Sequence, residues 1–273
     1  MSLNYVIPLG SPYSTLHTGM VQAQQSIQKV AESITTGINA TINPADSYVA
    51  SVLNTDIREA HKAIENAQTG YNFTSVADSS LAGITENLNR IRELSTQAAN
   101  GIYSDEQVAV FQEEINQNIE HIQQTLNNAT FNGHKTLNAV TPANPQPIAM
   151  KDFFVESNTS GSISYDPNIT LDSFNFDVST PEAARDAIGQ IDAMLGDINA
   201  KRGEIGAVQT SFTGAIEQQT ANITTNSQAL SSIQDTDYVS AIAELKKSEY
   251  SMELMAKVMK MVMNSEKYVL NML

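Results

Sequence analysis

Apolar residues recur at Leu16, Met20, Ala23, Ile27, Val30 and Ile34, in alternating steps of four and three. This is the roughly 3.5-residue period of a coiled-coil seam. The pattern predicts a helix that stops at Gly37, after a start made irregular by Pro8, Gly10 and Pro12. A second helical tract opens at Pro44, a residue suited to the first helical turn. Its spacing runs through Ile57, Ala60, Ile64, Ala67 and Tyr71, resumes at Leu81, Ile84, Leu88 and Ile91, and reaches Asn100-Gly101. A third tract carries Val108, Phe111, Ile115, Ile119, Ile122, Leu126 and Ala129. It ends before Phe131-Asn132-Gly133, where Asn-Gly marks a tight turn.

Residues 138–180 change character. Pro142, Pro145, Pro147 and Pro167 break helices, and the alternations Ser162-Ile163-Ser164-Tyr165 and Phe174-Asn175-Phe176-Asp177-Val178 read as short strands. Thr180 then caps a helix with Pro181 in its first position. Ala184, Ile188, Ile191, Leu195, Ile198, Ile205, Val208 and Phe212 mark its seam, which weakens into a Gln-, Thr- and Asn-rich stretch ending near Ile233. A last helix is predicted over 236–271. Neither chain end can bury its seam alone, so the two sets of helices must pack on each other. The expected fold is mostly α: a long coiled-coil helical bundle built from the N- and C-terminal halves, with a small β-hairpin insert. Its expected parts are 1–43 and 235–273 as the arms of an inner coiled coil, 44–137 and 181–234 as a helical rod, and 138–180 as the β-rich insert.

Six of the ten methionines, Met252, Met255, Met259, Met261, Met263 and Met272, lie in the last 22 residues. Methionine fills irregular interfaces. Met259, Met261, Val262 and Met263 nearly encircle the helix, so it needs cover on more than one side. An ordinary core helix has a similar lining. The terminal position and the sparsely charged N-terminal counterpart favour a subunit interface instead. The residues expected in it are Leu16, Met20, Ile27, Val30 and Ile34 with Met252, Met255, Met259, Val262, Met263 and Leu270.

Composition narrows the function. Aromatic residues make up 6% of the chain and there is no Trp, so the apolar content is mainly aliphatic and suits helix–helix packing. The net charge of -15 argues against nucleic acid, since no basic patch is available to neutralise phosphates. It equally disfavours an anionic membrane surface. Residues 41–238 carry -16, whereas 1–40 hold only Lys29 and Glu32 and 239–273 carry +1. The acidic middle reads as solvated and the near-neutral ends as buried. The chain has no Cys, which excludes disulfides and Cys-ligated metals. No stretch approaches the roughly 18 apolar residues of a membrane span, so no membrane insertion is expected. No basic residue precedes Lys29 and no continuous apolar run follows, so export is expected to use an uncleaved signal.

No catalytic, cofactor-binding or metal-ligating residues are expected. His17, His61, His121 and His134 are scattered. His61 and Glu65 are four residues apart, which is ordinarily a helix-surface contact, and no third ligand is near. No glycine-rich phosphate loop is present, and Glu113-Glu114 reads as a solvated pair. The Ser/Thr-rich segment 157–164 is the most exposed candidate for glycans.

Four stretches, in order, resemble bacterial flagellins. They are Asn89-Arg90-Ile91-Arg92-Glu93-Leu94-Ser95-Thr96-Gln97-Ala98-Ala99-Asn100-Gly101, Ala129-Thr130-Phe131-Asn132-Gly133, Ile198-Asn199-Ala200-Lys201-Arg202-Gly203-Glu204-Ile205-Gly206-Ala207-Val208-Gln209, and Ser232-Ile233-Gln234-Asp235-Thr236-Asp237-Tyr238. The resemblance implies a non-enzymatic subunit that polymerises with copies of itself into the flagellar filament for swimming motility. It implies terminal helices lining a channel, an outer helical rod, and no large outer domain, because the insert is too short for one. It further implies secretion to the extracellular flagellum through the flagellar type III export apparatus. The implied partners are a flagellin-type export chaperone on the C-terminal helix, the filament cap and the hook-associated proteins. Arg90, Leu94 and Gln97 share one helix face by spacing. That face is expected to pack between subunits, and it matches the patch read by the flagellin-sensing Toll-like receptor. Asn43-Pro44-Ala45-Asp46 instead resembles the related hook–filament junction protein. That protein stays an alternative, and a secreted coiled-coil effector is a more distant one.

Overall fold

The computed structural model describes the backbone of residues 11–39, 43–142, 144–156, 161–171 and 174–270; the side chains of 11–13 and 266–270 lie outside the described residues. Five helices dominate: α1 (Ser11–Thr36), α2 (Pro44–Ala98), α3 (Asp105–Asn128), α4 (Pro181–Gln234) and α5 (Tyr238–Leu270). Six short strands lie between α3 and α4: β1 (Thr130–Phe131), β2 (His134–Lys135), β3 (Asn138–Val140), β4 (Lys151–Phe154), β5 (Ser162–Tyr165) and β6 (Asn168–Thr170). The chain divides into two compact units, Met1–Thr55 with Thr225–Leu273, and Asp56–Thr224. This division falls inside α2 and α4.

The helix ends follow local chemistry. α1 starts at Ser11, so Pro12 sits in its first turn and does not break it. Gly37, at φ 73°, closes α1 and donates its N–H to Ser33 O at 2.9 Å. Asn43 caps α2: its Oδ1 accepts from Asp46 N at 2.8 Å, and Asp46 Oδ2 accepts from Asn43 Nδ2. Ser104 and Gln107 form a reciprocal capping box on α3. Thr180 Oγ1 accepts from Ala183 N at the start of α4, as the sequence predicts. Asp237 Oδ1 accepts from the N–H groups of Val239 and Ser240 to cap α5.

The Asp56–Thr224 unit holds the main core. Leu81, Ile84, Leu88, Ile91, Leu94 and Ala98 of α2 meet Ile115, Ile119, Ile122 and Leu126 of α3 and Ala184, Ala187, Ile191, Met194, Ile198 and Ile205 of α4. Each fully buried aliphatic side chain stabilises this core by about 1.5–3 kcal/mol. Two seams differ from the pattern read in the sequence. On α4 the buried positions include Ala187, Met194 and Lys201, whereas Ile188 and Leu195 are half-buried. Before residue 73, α2 buries Ala60, Ala63, Ala67 and Gly70, whereas Ile57 and Ile64 are half-buried and Tyr71 is exposed. At Gly70 a small residue leaves room for a large one. The ring of buried Phe212 occupies the space where a Cβ at Gly70 would lie.

The insert forms three two-stranded pairs: antiparallel β1–β2, parallel β3–β6 and antiparallel β4–β5. Asn132 and Gly133 both adopt positive φ, 49° and 76°, in the turn between β1 and β2. β5 is the strand expected at 162–165. Residues 174–178 are not a strand. Their alternation is real, since Phe176 and Val178 are buried, but a single side chain stands where a neighbouring strand would be. Gln112 of α3 donates to Phe176 O at 2.8 Å and accepts from Val178 N at 2.9 Å. The β4 end is fixed to the helices by Asn66 donating to Phe154 O at 3.0 Å and Gln219 donating to Val155 O at 3.1 Å.

Candidate subunit interface

α1 and α5 pack together within the first unit. On α1, Ala23, Val30 and Ser33 are buried, and Leu16, Met20, Ile27 and Ile34 are half-buried. On α5, Ser248 is buried, and Leu245, Met252, Met255, Met259 and Val262 are half-buried. These α5 positions continue the alternating three- and four-residue step that the α1 seam shows. Small and polar residues set the contact: Ser248 Oγ lies 3.2 Å from Ser26 Oγ, and Met255 packs onto Gly19. The structure thus brings together in one seam all five expected α1 positions and, from α5, Met252, Met255, Met259 and Val262. Met263 is off it and exposed, and the side chain of Leu270 lies outside the described residues.

The breaks after α1 and α4 join this unit. Thr236 N donates to Gly37 O at 3.0 Å, Asn39 N donates to Gln234 O at 2.8 Å, and Thr236 Oγ1 donates to Ser33 O at 3.2 Å. The Ser232–Tyr238 stretch therefore ends one helix, bonds the opposite break and starts the next.

A second apolar stripe remains uncovered on α5. It holds Tyr250, Leu254 and Met261, the last two each 62% exposed, while Val239, Ile242, Val258 and Met263 are exposed on other sides of the helix. Tyr48, Val49 and Val52 add exposed apolar surface on the first turns of α2. The charges of α5 are largely taken up along the helix itself, in Lys246–Glu249 (2.8 Å), Lys247–Glu244 (3.2 Å) and Lys257–Glu253 (2.7 Å). The hydrogen bond that Lys246 donates to Glu249 raises the Lys246 pKa, and the one that Lys257 donates to Glu253 lowers that of Glu253. The helix surface is therefore amphipathic twice over, with little net charge to oppose a neighbour.

The face expected around Arg90 is split. Arg90 Nε donates to Glu114 Oε1 at 2.7 Å and its Nη1 to Glu93 Oε2 at 3.2 Å; these hydrogen bonds, Glu114 first, raise its pKa. Gln97 is exposed. Leu94 is 2% exposed in the single chain, packed in the α2–α3–α4 core. The expectation that Leu94 awaits a neighbouring subunit is therefore corrected, because its cover comes from its own chain. Arg90 and Gln97 alone of the three face outward.

Among the described residues no group of three or more His, Asp or Glu side chains could hold a metal ion. Glu65, the neighbour of His61 in sequence, pairs with Lys62 at 2.7 Å. No described helix is long and apolar enough to cross a membrane.

Comparison with known proteins identifies the family. The family description "Bacterial flagellin N-terminal helical region" matches residues 10–141, and "Bacterial flagellin C-terminal helical region" matches 188–273. The chain is 30% identical over 241 residues to the flagellar filament 30.7 kDa core protein of Treponema maltophilum, a match covering 84% of each chain. It is 28% identical over 203 residues to the phase 1 flagellin of Salmonella naestved, covering 71% of this chain and 36% of that one. Among solved structures it is similar to Bacillus cereus flagellin, with 21% identity and a TM-score of 0.48, covering 57% of this chain and 88% of that chain. The two terminal family regions, found in order and flanking the short β insert, establish that this chain belongs to the bacterial flagellin family.

Proposed function

We propose that this flagellin, a structural subunit of the flagellar filament, joins its copies through the apolar faces that α1 and α5 leave uncovered. The observation that carries the reading is the second stripe of α5. One of its faces is taken by α1, and the other exposes Tyr250, Leu254 and Met261. A helix apolar on two faces needs cover on both. Identical chains joined through unlike surfaces build an open helix, which becomes a tube. Rotation of that tube moves the cell.

The same stripe has to be kept from aggregating before assembly, so a flagellin-type export chaperone is the partner that fits α5. The route outward is the flagellar type III export apparatus, and the location is the extracellular flagellum. The filament cap and hook-associated proteins meet the ends of the polymer. Receptor recognition, if monomers engage the flagellin-sensing Toll-like receptor, rests on Arg90 and Gln97, with Leu94 acting from beneath.

Deleting Met252–Leu273 tests the interface. The expected product is a soluble chain that forms no filaments in electron micrographs under conditions where the full chain does. Long filaments from the truncated chain would overturn the assignment.

A further inference from the structure

We propose that the β4–β5 hairpin is a clasp that holds α2 and α4 together where α3 no longer covers them. Beside the main core lies a smaller cluster. Ala67 of α2, Phe212 of α4 and Val155, just after β4, are buried in it, and Phe153 and Ile163 of the hairpin pack against them. No described residue of α3 belongs to this cluster. The two helices bring little of their own to the stretch. α2 buries Ala60, Ala63, Ala67 and Gly70 there, and α4 runs through a Gln-, Thr- and Ser-rich segment from Gln209 to Thr220. Such a seam buries little apolar area to set against the entropy of ordering both helices.

The hairpin bridges the two helices twice. Its backbone takes one amide from each: Asn66 of α2 donates to Phe154 O at 3.0 Å, and Gln219 of α4 donates to the next carbonyl, Val155 O, at 3.1 Å. Gln219 is buried, and its own Oε1 accepts from Asn222 Nδ2 at 3.2 Å, which fixes the amide. Side chains repeat the bridge. The Phe153 ring lies 5.7 Å from that of Phe73 on α2 and 5.4 Å, edge-on, from that of Phe212 on α4. Gly70 makes room for both neighbours, since a Cβ there would stand 2.3 Å from the Phe212 ring and 3.0 Å from that of Phe153. Opening the hairpin removes this cover and leaves the buried Gln219 amide without its acceptor. Hairpin and helix stretches therefore open as one cooperative piece.

The grip lies just inside Asp56 and Thr224, the limits of its unit, so the clasp sets how far ordered helix reaches in the free chain. It needs no neighbouring subunit. The test uses the unpolymerised full chain, so its outcome is independent of the filament reading. Amide hydrogen exchange is followed by peptide mass spectrometry in the wild type and in a variant that combines Asn66→Ala, Phe153→Ala and Gln219→Ala. Exchange should become several-fold faster in 57–72 of α2 and 206–221 of α4, with 81–98, 108–126 and 184–202 unchanged. A speed-up confined to 151–165, or none at all, overturns the clasp, because the helices then hold without it. Equal acceleration of the whole unit also overturns it, because the hairpin is then only one part of a single core. If the variant does not fold, wild-type exchange in urea below the unfolding transition decides. Peptides from 151–165, 57–72 and 206–221 should open together, with one urea dependence, and before those of 81–98. Helix stretches that open independently of the hairpin contradict the proposal.

Discussion

Leu94 illustrates how a residue's role depends on what covers it. Its spacing from Arg90 and Gln97 puts it at their side of α2, yet it lies at the edge of the buried stripe and is covered by α3 and α4. Leu94→Ala should therefore destabilise the free chain by about 2–5 kcal/mol, seen as a lower melting temperature of the Asp56–Thr224 unit. An unchanged monomer melt would return Leu94 to the subunit interface. Tyr165 makes a second residue-scale case. Its hydroxyl donates to Thr136 O at 2.9 Å, Lys201 Nζ lies 5.8 Å over its ring, and the ring meets Phe73 edge-on at 5.9 Å. Burial first, then the charges of Asp166 and Glu204, push its pKa well above the ordinary tyrosine value. Below about pH 10, the ordinary value, both folded and unfolded chains keep the proton. Above it the unfolded chain ionises while the fold resists, so this contribution to stability falls as pH rises. Tyrosine-absorbance titration of the folded chain should show one group that ionises only on unfolding, and Tyr165→Phe should remove it. A full complement of normally titrating tyrosines in the folded wild type would contradict this.

At the scale of elements, the long helices are legible in the sequence and, β5 apart, the short strands are not. The ends of α1, α2 and α4 follow from Gly37, Asn43-Pro44 and Thr180-Pro181, because caps are local chemistry. Asn43-Pro44-Ala45-Asp46, which resembles a junction-protein motif, is also a complete helix cap. Its likeness therefore has a general structural cause. The buried side of each helix was harder to read. The sequence points to the bulkiest apolar residues, but Ala60, Ala63, Ala67 and Ala187 hold buried positions of the stripes. Lys201 is buried on α4 with its Nζ 5.8 Å over the Tyr165 ring, donating to Glu204 at 2.9 Å. The segment 174–178 has the alternation of a strand and no strand partner. The side-chain amide of Gln112 satisfies its backbone, and nothing in the local pattern reveals a partner more than sixty residues away.

At the scale of the whole molecule, core and charge are unequally divided. The described buried residues of the first unit are Ala23, Val30, Ser33, Ala50 and Ser248, and the remaining buried residues lie in Asp56–Thr224. The second unit also carries a net charge of -13, against -2 for the first. A unit with so little buried apolar surface opens at low free energy. Limited proteolysis of the free chain should cut α1 and α5 first and leave a resistant fragment within 56–224. Equal resistance along the chain would show that the terminal seam is stable without neighbours. The near-neutral, thinly buried ends and the acidic, well-packed middle fit a subunit that completes its terminal unit on joining others.

The sequence by itself determined the helices, most of their ends and the pairing of the two chain termini. Each of these follows from periodicity, capping or the need of an apolar stripe for cover, all properties written within a few turns of the chain. It also carried the family, through four stretches that together fit one architecture. Tertiary structure alone decided which residues of each stripe are innermost, what covers Leu94, where the chain divides into units and how residues 174–178 are held. These depend on how closely two helices approach and on which distant group reaches a given backbone amide, and neither distance is encoded in the spacing of one segment.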